Sequence, residues 1–267
     1  MNPDWLTPDW PAPPGVRAVF TTRQGGVSVA PWDSMNLGDH VGDASAQVAA
    51  NRAVLARAIN AKPVFLQQVH GVAVLPLDSG TPHGLQADAT VTSQRRIACT
   101  IMVADCLPVL LTNTEGSAVA AAHAGWRGLA GQQGRGVLEE VYESFRALAH
   151  MGRAQTAINT IAWLGPCIGP AAFEVGAEVR AAFVGSDPGA TDCFTATTPD
   201  KYLADLAGLA RLRLQALGIT QIYGNNGSAP WCTVGNTSRF FSHRRDAGVS
   251  GNGLGTTGRM AACIWLE

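Results

Sequence analysis

The stretch Ile97–Gly128, IACTIMVADCLPVLLTNTEGSAVAAAHAGWRG, decides the reading of this chain. It holds two apolar runs, each closed by an unusual polar residue. The first, Ile97 to Ala104, stops at Asp105-Cys106, and the second, Ser117 to Ala122, stops at His123 and the glycine-bracketed Gly125-Trp126-Arg127-Gly128. Short apolar runs bounded by turn residues read as buried strands. Functional residues gather where such strands leave the core, so a thiol and an imidazole at two strand ends point to one shared pocket. Upstream, Val64 to Val69 is another apolar run, and it ends in His70-Gly71.

Working outward, the 267 residues suit one large domain, and the apolar fraction of 46% with only 15% charged residues indicates a well-filled core. A net charge of -1 gives no electrostatic case for nucleic acid or an anionic membrane. No apolar run approaches the roughly 20 residues of a membrane span. The opening segment carries acidic residues and prolines where a secretory signal would be basic and then apolar. A cytoplasmic protein without an obligate protein partner is expected. The six cysteines form no C-x-x-C pair, so reduced thiols are expected.

In chain order, Val16 to Thr22 reads as a strand, followed by two polar, glycine-rich loops up to Asp43. Asp43 is a helix N-cap candidate for a helix from about Ala44 to Asn60, with Val48, Leu55 and Ile59 buried. Val64 to Val69 and Val72 to Leu77 suit a strand pair around His70-Gly71, and Ala87 to Ser93 a further strand. Gly134 to Ala149 reads as an amphipathic helix, Ala157 to Leu164 as a strand, and Glu178 to Val184 as a short helix. Thr198-Pro199-Asp200 predicts a helix start, with the helix running to Leu217. Gln221 to Gly224 and Arg259 to Leu266 read as strands, and Gly251 to Gly255 as a mobile loop. Strands and helices mix without strict βαβ alternation, which predicts one α+β domain over residues 1–267, its sheet layers flanked by helices.

His70, Cys106 and His123 form a donor set suited to zinc or copper, and three protein ligands leave a fourth position open, as in catalytic sites. A rival reading needs no metal: Cys106 as nucleophile, His123 as its base, and Asp105 or a neighbouring carboxylate as the orienting group. Both remain open on residue types alone. Arginines that suit phosphate include Arg23, Arg52, Arg127, Arg244 and Arg245, with Arg127 only four residues from His123.

Several motifs recur together: Thr22-Arg23 with Gly25-Gly26-Val27-Ser28, Asn36-Leu37-Gly38 through Asp43, Asn51-Arg52, Gln68-Val69-His70-Gly71, Ala87-Asp88-Ala89, and Ala104-Asp105-Cys106-Leu107-Pro108. His123 through Gly128, Gly165-Pro166-Cys167-Ile168-Gly169, Phe173-Glu174-Val175 and Phe241 through Asp246 follow. In this order they resemble the YfiH-like family, also called laccase-domain or multicopper polyphenol oxidase-like proteins. The resemblance covers nearly the whole chain, with His243 standing where a Tyr is expected. It implies a layered α+β sandwich of two mixed sheets, a fold also grouped with cysteine hydrolases. It implies metal ligands at His70, Cys106 and His123. It implies phosphorolysis of adenosine, inosine and methylthioadenosine, with adenosine deaminase activity. Alternatives attached to the same family are a copper-dependent polyphenol oxidase and a peptidoglycan-editing hydrolase that removes a wrong amino acid from a UDP-muramoyl precursor.

Chemistry narrows these expectations. A multicopper oxidase needs a trinuclear cluster fed by many histidines, and this chain has six. Zinc chemistry needs only the three ligands, an open position and an acid–base group. Asp105 is the proton-carrier candidate beside Cys106 and His123. Asn36, Arg52 and Arg127 are assigned to substrate, a small-molecule nucleoside with phosphate.

Overall fold

The computed structural model describes residues 2–149, 157–249 and 255–267. In chain order its main elements are β1 (Val16–Phe20), α1 (Ser45–Ile59), β2 (Lys62–Val64), β3 (Val74–Pro76), β4 (Ala89–Thr92), β5 (Ile97–Val103), β6 (Leu107–Asn113), β7 (Val119–Ala124), α2 (Trp126–Ala130) and α3 (Val137–Ala149). They continue with β8 (Thr160–Leu164), β9 (Glu174–Gly176), α4 (Ala177–Val184), β10 (Phe194–Thr198), β11 (Lys201–Ala204), α5 (Leu206–Ala216), β12 (Gln221–Gly224), α6 (His243–Val249) and β13 (Met260–Leu266). Among the described residues the strands form a four-stranded sheet, β1-β13-β5-β2, a six-stranded sheet, β12-β8-β6-β7-β4-β3, and a small sheet, β10-β11-β9.

The two large sheets stack face to face, and the side-chain alternation of β5 explains why. Ile97, Cys99, Ile101 and Val103 meet Leu110, Val119, Ala121 and Trp163 of the second sheet. The alternate residues, Ala98 and Met102, meet Leu55 and Ile59 of α1. A strand covered on both faces has no polar side, so it reads as an unbroken apolar run. On β7 the even positions, Ala120, Ala122 and Ala124, pack under Val137, Val141 and Phe145 of α3. The order of layers is therefore helix, sheet, sheet, helices. Phe20 ties the two sheets, lying 6.5 Å from the Trp163 ring.

Four sequence expectations are corrected. The Ile97–Gly128 stretch contains three strands, because Leu107–Asn113 is a strand of the second sheet. The segments around His70-Gly71 are not a strand pair: β2 belongs to the first sheet beside β5, and β3 to the second beside β4. Thr198-Pro199-Asp200 turns the β10–β11 hairpin. The helix begins instead after Asp205, whose side chain accepts the Gly208 N–H at 2.9 Å. Asp43 does not cap α1; its Oδ2 accepts the Ser28 hydroxyl at 2.6 Å and the Asn36 amide at 2.9 Å, and Ala44 is the cap residue. The helix itself spans Ser45–Ile59 with the expected buried face. Residues 251–254 of the glycine-rich stretch, and His150, lie outside the described residues. All six cysteines are free, and no described helix is long and apolar enough to cross a membrane.

Candidate metal centre

Two crossings between the sheets, and the end of β7, converge at one end of the sandwich. β2 and β5 run parallel in the first sheet, so their C-terminal ends lie together. From β2 the chain crosses to the second sheet through His70, and from β5 it crosses through Asp105-Cys106 into β6. Both crossings turn on non-glycine residues in the left-handed region, His70 at φ 61° and Asp105 at φ 89°. β7 runs antiparallel to β6 with Ala124 opposite Leu107, so it ends where β6 begins. His123 follows Val119 and Ala121 in alternation and therefore faces the space between the sheets.

The donor atoms of His70, Cys106 and His123 all lie within 4.8 Å of one another. Cys106 Sγ stands 3.7 Å from His70 Nε2, and the two imidazole rings meet edge to face at 4.7 Å. Asp88, the residue just before β4, whose carbonyl accepts the His123 N–H at 2.7 Å, organises two of the three. Its Oδ1 lies 2.8 Å from His123 Nδ1, which leaves Nε2 for the pocket. The same fully buried carboxylate accepts the N–H groups of Val69 (3.2 Å), His70 (2.9 Å) and Gly71 (2.7 Å). Burial pushes the Cys106 thiol up, but the charge and hydrogen bonding of His123 and His70 outweigh it and bring its pKa down to about 6. Burial works against the His123 cation too, yet the Cys106 and Asp88 charges lift it to about 9.

The donor set fits a zinc-sized ion. Metal–ligand bonds of about 2.0–2.3 Å set tetrahedral donors roughly 3.5 Å apart, near the Cys106–His70 separation. Gly125 leaves the room: a Cβ there would stand 2.8 Å from the His70 ring and 3.0 Å from Cys106 Sγ. Asp88 supplies the carboxylate–histidine partner typical of ligating imidazoles.

The family model described as "Multi-copper polyphenol oxidoreductase laccase" matches residues 17–267. The chain belongs to this family. It is 48% identical over 264 residues to the Escherichia coli protein named purine nucleoside phosphorylase YfiH, covering 98% of each chain. A Pseudomonas aeruginosa protein, also named a purine nucleoside phosphorylase, is 46% identical with the same coverage. Among solved structures, the Neisseria meningitidis protein of the DUF152 family superposes with a TM-score of 0.88 at 42% identity, covering 99% of each chain.

In this laccase-family chain the His70–Cys106–His123 cluster lies against a cavity of about 480 Å³, within the range of roughly 300–1,000 Å³ usual for small-molecule sites. Arg127 lines it, its guanidinium 4.4 Å from the centre of the Trp126 ring. Asp105 also lines it, but its carboxylate is committed: Thr233 Oγ1 donates at 2.5 Å, the Arg244 N–H at 2.6 Å and Ser242 Oγ at 3.1 Å. Asn36 and Arg52 are not among the lining residues. Asn36 is buried and holds backbone, its Oδ1 accepting the N–H groups of Gly38 and Arg259 at 2.9 Å each. Arg52 donates to Leu37 O at 3.0 Å, pairs with Asp39 at 3.1 Å and stacks on Phe65. Sequence reading missed Arg259 and gave Asp88 no role, although Asp88 stands inside the Ala-Asp-Ala motif. His40, Gln68 and Phe173 also line the cavity.

Proposed function

We propose that this protein is a metal-dependent purine nucleoside enzyme that phosphorolyses adenosine, inosine and methylthioadenosine and deaminates adenosine. The carrying observation is the His70–Cys106–His123 cluster beside a cavity that three arginines, Arg127, Arg244 and Arg259, also line. The names of the Escherichia coli and Pseudomonas aeruginosa relatives support the nucleoside reading. Zinc, or copper in its place, would be held by the three ligands and would supply Lewis acidity to a polar group of the substrate. Among the described residues this is the only group of three or more such ligands, which does not suit the several copper centres of a laccase.

The chain's own groups do the rest. Trp126 and Phe173 offer aromatic faces to a flat base. The arginines attract the phosphate co-substrate. In phosphorolysis a phosphate oxygen bonds to the ribose C1′ as the C1′–N9 bond breaks; its electron pair passes to the base, which takes a proton. Asp105 acts by holding the Arg244 backbone and the Cys106 turn in place rather than by carrying that proton.

One observation favours a second reading. Asp88, His123 and Cys106 also stand in the order of an acid–base–nucleophile triad, which would make Cys106 the attacking group of a metal-free hydrolase. Incubating the pure protein with each nucleoside, with and without phosphate, and resolving the products by chromatography tests both. Phosphate-dependent release of free base is expected, with inosine formed from adenosine without phosphate. Absence of both products, with cleavage of a UDP-muramoyl-amino-acid conjugate, would replace the nucleoside reading with the editing hydrolase.

A further inference from the structure

The three arginines of the cavity are not equivalent. Arg244 is committed, its terminal nitrogens donating to Ala172 O at 3.3 Å and Glu174 O at 3.1 Å. Arg127 lies exposed at the rim, against Trp126. Arg259 is largely enclosed and is held from several sides. Its backbone N–H goes to Asn36 Oδ1 at 2.9 Å and its carbonyl accepts the Leu37 N–H at 3.0 Å. Its stem passes over Gly38, where a Cβ would stand 2.7 Å from Arg259 Cγ. One terminal nitrogen donates to Thr257 O at 2.8 Å and Gly258 O at 3.2 Å. Among the described residues the other two nitrogens have no hydrogen-bond partner, and no carboxylate forms an ion pair with the guanidinium.

A cation enclosed this way is unfavourable unless a counter-charge meets it. The negative groups that reach it are Cys106 and Asp105, and each is engaged elsewhere. His40 lines the same cavity, but its Nδ1 stands 3.5 Å from Asp39 Oδ1, so its one N–H as a neutral imidazole is turned to that carboxylate. A pre-positioned guanidinium with two free donors matches the geometry of a tetrahedral oxyanion.

We propose that Arg259 forms the oxyanion subsite of this cavity and takes inorganic phosphate. The identification of phosphate as co-substrate rests on the function proposed above; the subsite itself rests on the placement of Arg259.

Titration calorimetry of inorganic phosphate into protein of matched zinc content tests it. Arg259→Met should weaken phosphate binding about 10- to 100-fold, the range for loss of a hydrogen bond to a charged group. Arg259→Lys should recover part of that, and Gly38→Ala should reproduce the loss without changing any charge. Arg57→Met, on the exposed side of α1, should bind as wild type. In turnover, KM for phosphate should rise by a similar factor in Arg259→Met, while KM for nucleoside moves less than about threefold. Wild-type phosphate affinity in Arg259→Met, loss confined to Arg127→Met, or no phosphate binding by the wild type would each overturn the assignment. Arg259-dependent phosphate binding without nucleoside turnover would keep the subsite and remove the phosphorylase reading.

Discussion

Asp88 Oδ1 lies 2.8 Å from His123 Nδ1, and both side chains are buried from solvent. Because the same carboxylate also gathers three N–H groups of the His70 turn, one residue fixes the tautomer of one candidate ligand and the backbone of another. Asp88→Asn keeps the size and removes the charge. Metal affinity, read by competition with a chromophoric chelator, should fall about 10- to 100-fold, as is typical when a ligating histidine loses its carboxylate partner. An unchanged affinity would mean that Asp88 only supports the fold.

The metal-free protein should carry a Cys106–His123 ion pair over a defined pH window. The Cys106 pKa is about 6 folded against an ordinary 9.0, so its contribution to stability is complete above pH 9 and lost as pH falls through 6. The His123 pKa is about 9 against an ordinary 6.5, so its contribution is complete below pH 6.5 and lost as pH rises through 9. The two contributions run in opposite directions between pH 6.5 and 9 and offset each other, so the net stability of the metal-free form should change little across that interval even though both groups of the pair are charged in it, and the macroscopic steps belong to the pair. Thiolate absorbance, with Cys106→Ala as the blank, checks it; a single step near the ordinary thiol value would sink the pairing.

Gly125→Ala tests the closeness of the ligands. The new methyl would have to displace the His70 ring or Cys106. The variant should fold, with the far-ultraviolet dichroism of the wild type, yet hold metal at well below one equivalent. Full metal occupancy would show that the ligands have room to spare.

Ligand and nucleophile make opposite demands on Cys106. As a ligand, Cys106→Ala should lose metal on purification, and chelation of the wild type should abolish turnover. As a nucleophile, Cys106 should be alkylated in the active enzyme while chelators leave the rate alone. Elemental analysis and rate measurements on the same preparations separate the two.

The sequence picked out His70, Cys106 and His123 as one candidate ligand set because each stands where an apolar run breaks, and the fold brings their donor atoms within 4.8 Å of one another. It revealed the double burial of β5, since both alternating sets are apolar. It hid β6, because no glycine or proline separates Val103 from Leu107: the turn is made by Asp105 in a left-handed conformation that leaves no local signature. It gave no sign that Asn36 and Arg52 lie outside the cavity lining. Their polar groups satisfy backbone at Gly38, Arg259 and Leu37, and a residue's chemistry alone does not distinguish service to main chain from service to substrate. At Thr198-Pro199-Asp200 local capping chemistry suggests a helix, but tertiary pairing of Tyr202 and Leu203 with Val175 and Glu174 overrides it.

β13 lies between β1 and β5 in the four-stranded sheet, paired with strands that begin more than 240 and 160 residues earlier. During synthesis β1 and β5 must wait with open edges until residues 260–266 have left the ribosome. Non-local pairing of this kind slows folding and leaves strand edges exposed meanwhile. Arg259 enters the pocket only with that strand, so the nascent chain can gather its His70, Cys106 and His123 side chains before it owns a finished pocket. Truncation before Met260 should yield aggregated protein rather than a weakened enzyme.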